Sequence, residues 1–235
     1  MRRVLTAGVV IAACGATMTA LPAAAQASDA VITSVKVTPT TVVQSATNRK
    51  AVTVEVRTND ETDNVTANLA PVKGSGAGFI VLKKTGAGLW TGSEFIYNYD
   101  AAGAWNVDVE ATDYESDNPE AKKTVQISVK RNISISKFKA SPAKVKKGKK
   151  FTVSGILKRW NGSSAYAGFK GQKVALYFKK KGAKTYTYAG SVTTGKGGAF
   201  TKKVKASKSG TWQARYAGST IYVAAVSATA TVTVR

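Results

Sequence analysis

The chain has 235 residues with 35 Lys or Arg, 13 Asp or Glu, no His and one Cys, Cys14, for a formal net charge of +22. Without an imidazole, Ser-His-Asp and Cys-His catalysis are excluded, and so are zinc sites of the usual Cys/His kind. The length suits one large domain or two small ones.

In chain order, Met1-Arg2-Arg3 is a short positive head, Val4 to Ala20 carries no charge, and Ala23-Ala24-Ala25-Gln26-Ala27 offers small residues for a signal peptidase. Residues 1–27 therefore predict a cleaved signal peptide, with the cut after Ala25 or Ala27. Ile11-Ala12-Ala13-Cys14 also resembles a lipoprotein box that would acylate Cys14, but the apolar run continues past it toward the later site. Cleavage removes the only thiol, so the mature chain enters an oxidising compartment with no disulfide and must rely on apolar cores. No transmembrane segment is expected in the mature chain.

The remainder carries a repeat of roughly 104 residues. Pro39-Thr40-Thr41-Val42 matches Pro142-Ala143-Lys144-Val145, and Gly103-Ala104-Trp105 matches Gly210-Thr211-Trp212, with each Trp 66 and 70 residues after its proline. Period-2 alternation marks strands: Val52, Val54 and Val56 in the first half, Val174, Leu176 and Phe178 in the second. Turn residues punctuate the chain at Lys73-Gly74-Ser75-Gly76, Thr85-Gly86-Ala87-Gly88, Asn161-Gly162 and Gly195-Lys196-Gly197-Gly198. The fold class is all-β, with two tandem immunoglobulin-like β-sandwich domains of about seven strands each, at 28–131 and 132–235. The linker Lys130-Arg131-Asn132 is short and lacks Gly and Pro, which predicts limited bending between them.

Val145-Lys146-Lys147-Gly148, Gly171 to Leu176, Gly198-Ala199-Phe200, Ser209-Gly210-Thr211-Trp212 and Tyr216-Ala217-Gly218-Ser219 give the second half a family likeness. It resembles the bacterial Ig-like or transthyretin-like repeats of secreted actinobacterial surface proteins. The first half resembles bacterial Ig-like domains more loosely, through Trp105 to Val109 and Ala111-Thr112-Asp113. The resemblance implies a sandwich fold and leaves function open. One departure is Thr194-Gly195, where such repeats often carry Asp in the turn.

Charge is divided unevenly. All 13 acidic residues precede position 121, and residues 132–235 hold 19 Lys and 3 Arg with no carboxylate side chain. Second-domain strands are expected near 133–139, 150–157, 172–178, 185–192, 199–205, 211–216 and 229–234. Successive loops of an antiparallel sandwich alternate between its ends, so the first, third and fifth loops share one end. They bring together Lys144, Lys146, Lys147, Lys149 and Lys150, then Lys179, Lys180, Lys181 and Lys184, then Lys205 and Lys208. The other end carries only Arg159, Lys170 and Lys196. The same parity puts a basic pole at the free C-terminal tip and acidic loops at the free N-terminal tip.

A lysine pole attracts polyanions, and flexible point charges suit repeated phosphates better than bidentate readout. The expected partner is an anionic cell-wall polymer or another extracellular polyanion, bound by salt-sensitive contacts. No recognition helix or arginine-rich ribbon points to sequence-specific nucleic acid. The aromatics Phe178, Tyr186 and Tyr188 lie among the lysines, mostly at core spacing. At the acidic tip, Asp60, Glu61 and Asp63 face Asp113, Glu115 and Asp117, a set that permits Ca²⁺; no other cofactor is expected. The chain reads as a secreted, non-catalytic binding or adhesion protein, extracellular or cell-wall associated. The competing reading is a structural or protein-interaction module whose first domain meets a protein partner, with the lysines serving solubility or retention.

Overall fold

The computed structural model describes residues 30–47, 49–60, 62–113 and 121–235; the expected signal peptide lies outside them. No helix among the described residues is long and apolar enough to cross a membrane. The first half contains β1 (Ile32–Thr38), β2 (Thr41–Gln44), β3 (Arg49–Thr58), β4 (Asn64–Pro71), β5 (Gly78–Val81), β6 (Lys83–Gly86), β7 (Leu89–Tyr97), β8 (Gly103–Thr112) and β9 (Ala121–Arg131). The second half contains β10 (Ile133–Ser141), β11 (Lys144–Val145), β12 (Lys150–Trp160), β13 (Tyr166–Gly168), β14 (Lys173–Lys180), β15 (Thr187–Thr193), β16 (Ala199–Lys205), β17 (Gly210–Tyr216), β18 (Ala225–Val226) and β19 (Ala230–Val234).

In the first half one sheet runs β1-β3-β7-β6 and the other β2-β9-β8-β4-β5. With β2 parallel to β9, this is the A-B-E-D and A′-G-F-C-C′ order of an immunoglobulin sandwich. The second half keeps the A-B-E part of the first sheet, with β12 between β10 and β16, and adds β13 on β12 where the first half has no counterpart, while the facing sheet runs β11-β19-β17-β14-β15. The repeated prolines mark the place where the first strand changes sheets, each after a cis peptide bond, Thr38–Pro39 and Ser141–Pro142.

Alternation explains why these segments pair face to face. Val52, Val54 and Val56 are fully buried on β3 while their neighbours face outward. They join Trp105, Val107 and Val109 of β8 in one cluster. A second cluster unites Phe151 and Val153, Val174 and Leu176, Phe200, and Trp212 and Ala214. Both repeat tryptophans are core residues, Trp105 donating from Nε1 to Ala101 O at 2.8 Å. The expected strands stand within a few residues of their sequence boundaries. The extra ones, β2, β11, β13 and β18, are two to four residues long, too short to show alternation.

Between β9 and β10 stands a single residue, Asn132. Its N–H donates to Gln44 O at 2.9 Å and its carbonyl accepts from Trp160 N at 2.9 Å. Beside it, Arg131 N donates to Ile221 O (2.8 Å), and Val223 N donates to Arg131 O (3.1 Å). The buried Trp160 indole donates to Asn98 O at 3.0 Å. Gln44 Nε2 braces the same corner by donating to Tyr97 O and Asp100 O, both at 2.9 Å. Burial pushes the Asp100 carboxyl upward, opposed by the hydrogen bond it accepts from Tyr97 N. Backbone and side-chain bonds thus run from one half into the other.

The Gly-x-Phe motif has a steric cause. Gly198 sits at φ +76°, and a Cβ there would lie 2.0 Å from Leu157 O. Next to this turn the Thr194 hydroxyl donates to Phe169 O (2.6 Å) and accepts from Gln172 N (2.9 Å). Threonine therefore ties this turn with its hydroxyl. Gly198→Ala is expected to destabilise the fold by roughly 1–3 kcal/mol in urea titration, from backbone conflict and positive φ together; an unchanged midpoint would contradict this packing.

Candidate functional site

The lysine-bearing loops are built by tight turns tied to one another. In the segment between β10 and β12, Gly148 takes φ +81° and Lys149 N donates to Lys146 O at 3.1 Å. That turn is pinned to the segment after β16: Gly148 N donates to Ala206 O and Ala206 N to Lys149 O, both at 2.8 Å. The segment after β14 turns at Gly182, with Ala183 N donating to Lys180 O (2.9 Å), and it is tied in turn by Lys181 N to Ser209 O at 2.9 Å. The first, third and fifth loops therefore meet, as strand parity requires.

Of the expected pole residues, Lys144, Lys146, Lys147, Lys149, Lys150, Lys180, Lys181, Lys184, Lys205 and Lys208 are exposed, and Lys179 is half-buried. Lys150 and Lys205 stand directly opposite in register, a like-charged pair that opposes folding. The ion pairs Lys122–Glu110 (3.1 Å) and Arg57–Glu55 (3.9 Å) lie in the first half, and residues 132–235 contain no carboxylate side chain to neutralise the pole. Clustered cations of one sign produce a potential of several kT near the surface, reaching about 8 Å into physiological salt.

Sequence reasoning missed Arg235. Its N–H donates to Val145 O (3.0 Å) and its carbonyl accepts from Lys147 N (2.8 Å), which places it within the pole. The parallel pairing of β11 with β19 that does this spans two residues, too few to leave a pattern. Arg159, counted among the cations of the opposite end, has a structural role. Its guanidinium lies 5.0 Å from the Phe169 ring centre and donates to the Tyr222 hydroxyl.

At the acidic end, Asp63 N donates to Thr112 O at 3.0 Å, and Asn64 pairs with Thr112. The loop of Asp60 and Asp63 is thereby brought beside Asp113, whose side chain is buried. Among the described residues no three His, Cys, Asp or Glu side chains are grouped to hold a metal. Glu61, Glu115 and Asp117 lie outside the described residues.

The aromatics divide. Phe178 packs on Trp212 with ring centres 5.1 Å apart, inside the sandwich. Tyr186 and Tyr188 depart from the expected core spacing: Tyr188 is 59% exposed, with Tyr177 edge-on to it at 5.8 Å. In the β14–β15 pairing Gly190 stands opposite Leu176 and Tyr188 opposite Tyr177, so Ala189 is an extra residue on β15, and alternation extrapolated across it puts Tyr188 on the wrong face.

No family model matches the chain, and no curated protein matches it. Solved structures similar to it include the D0-D1 domain of intimin (16% identity, TM-score 0.31, 86% of this chain and 98% of that one). The adhesin InvE of Yersinia pseudotuberculosis is similar at 12% identity and TM-score 0.30, over 86% of this chain and 58% of that one. The N-terminal eight Ig domains of Down Syndrome Cell Adhesion Molecule are similar at 9% identity and TM-score 0.45, over 88% of this chain and 25% of that one. The immunoglobulin-like assignment rests on the strand order above.

Mutual repulsion within the pole has a measurable consequence. The melting temperature should rise as salt increases from low to physiological concentration, and Lys147→Glu should raise it at low salt more than at high salt. A Lys147→Glu variant less stable than the parent at low salt would contradict uncompensated repulsion.

Proposed function

We propose that this is a secreted, non-catalytic attachment protein of two immunoglobulin-like domains, 28–131 and 132–235, released by removal of residues 1–27. The lysine pole of the second domain holds it to an anionic cell-envelope polymer and leaves the first domain displayed. The observation that carries this reading is the meeting of three hydrogen-bonded loops bearing exposed lysines in a half with no carboxylate side chain. A surface selected only for solubility mixes both signs. Compact ammonium groups on flexible stems follow a polymer of repeated anions without a fixed register.

A second reading has its own observation. Strand β5 is the edge of its sheet, and Phe79 and Val81 on it are 55% and 62% exposed. An edge strand with apolar side chains facing water is suited to a protein partner that adds a strand. In that reading the first domain makes the specific contact and the pole only retains the molecule.

Sedimentation of the protein with purified cell walls across a salt series tests the attachment. Binding should fall as salt rises. Exchanging Lys146, Lys147, Lys181 and Lys208 together for Ser should reduce the slope of log affinity against log salt by roughly 3, if each lysine releases about 0.7–0.9 of a counterion. Retention unaffected by salt, or a quadruple variant binding like the parent, would overturn the reading in favour of a protein contact.

A further inference from the structure

The outer face of β17, β14 and β15 carries a site that the pole does not account for. Along β14, Val174 and Leu176 enter the core, so Lys173, Ala175, Tyr177 and Lys179 point the other way. Register sets Ala175 beside Arg215 and Tyr177 beside Gln213 on one side, and Tyr177 beside Tyr188 on the other. A hollow of about 380 Å³ opens here, lined by Lys173, Ala175, Tyr188, Arg215 and Ala217. The two alanines leave room at its floor, and the exposed Tyr188 ring and the Arg215 guanidinium supply its functional groups.

Arg215 is held in place from two sides. Its guanidinium carbon lies 4.2 Å from the Tyr177 ring centre and 5.5 Å from that of Tyr186, and its Nε donates to Gln213 Oε1 at 2.9 Å. Both terminal nitrogens lack protein partners among the described residues, leaving a planar fork for an oxyanion. Tyr177 is covered by Arg215, whereas Tyr188 is open to water. One free ring beside one oriented guanidinium fits a non-aromatic ring bearing an anionic group. A run of stacked bases would need several open ring faces in succession. The C–H edge of a pyranose carries the partial positive charge that the face of an aromatic ring attracts.

The face is continuous with the pole. From Lys173 to Lys179 the strand spans about 20 Å at 3.3 Å per residue, and it leads into Lys180, Lys181 and Lys184. Lys179 closes the path over Tyr186, 5.1 Å from the ring centre. We infer that this face is a subsite for an anionic polysaccharide, with a pyranose ring seated on Tyr188 and its carboxylate or phosphate on Arg215, while the rest of the polymer runs along Lys179 to the lysine loops. This rests on the pole being a polyanion site; it adds that the polymer is built of sugars and that a ring, as well as charge, is read.

The test measures affinity of the full chain by calorimetry at 0.15 M salt for three probes: an alginate octamer, inorganic polyphosphate and an oligothymidylate. Tyr188→Ala should weaken alginate binding roughly tenfold, the scale of losing one stacked ring, and leave polyphosphate unchanged, whereas Tyr188→Trp should retain alginate. Since Tyr188 is largely exposed, its replacement leaves the core intact. Equal effects on alginate and polyphosphate, no effect on alginate, or no alginate binding by the parent would overturn the subsite. A loss confined to oligothymidylate would overturn it in favour of nucleic acid. Lys146→Ser with Lys147→Ser separates the two ideas. If that variant binds polyphosphate like the parent the pole reading fails, whatever Tyr188→Ala does to alginate.

Discussion

Backbone hydrogen bonds between loops, more than any single side chain, hold the cations of the second half together. Gly148 N to Ala206 O, Ala206 N to Lys149 O and Lys181 N to Ser209 O tie three chain segments at one end of the sandwich. Main-chain bonds fix the backbone at Lys146, Lys147, Lys149 and Lys181, and strand ends fix it at Lys144, Lys150, Lys180 and Lys205. The repulsion among the ammonium groups is therefore borne by the fold. The buried Val153, Val174, Leu176 and Trp212 stabilise the sandwich against it, because no disulfide and no local carboxylate side chain can.

The junction gives that pole a defined relation to the first half. Asn132 is the whole connection between β9 and β10, and its backbone bonds reach Gln44 on one side and Trp160 on the other. The Trp160 indole bond to Asn98 O and the pairing of Arg131 with the Ile221–Val223 segment add contacts that a free linker would lack. A load applied through the basic pole would therefore pass into the first half through ordered backbone instead of a tether.

Much of this was legible from residue order. Alternation at Val52, Val54 and Val56 and at Val174 and Leu176 marked buried faces, since a pleated strand with one dry side leaves a period of 2. Strand parity then sorted the loops to ends with no knowledge of side-chain positions. What failed to show were pairings of two to four residues, β2, β11, β13 and β18, which are decided by neighbours distant in sequence. Arg235 entered the pole through one of these. Arg159 looked like a free cation because the rings that cover it, Phe169 and Tyr222, lie in other strands and loops. The Tyr188 face was obscured by the extra residue Ala189 on β15, which breaks the alternation used to assign side chains to core or surface. At the acidic end, Asp63 N meets Thr112 O beside Asp113, while Glu61, Glu115 and Asp117 of the expected set lie outside the described residues.

The most direct measurement is a footprint of lysine reactivity. The protein is acylated with and without soluble anionic cell-wall polymer, and each amine is quantified by mass spectrometry. Protection should concentrate at Lys146, Lys147, Lys149, Lys181 and Lys208, with Lys36, Lys170 and Lys196 remaining reactive. Uniform protection, or protection centred on Lys170 and Lys196, would contradict attachment through the pole.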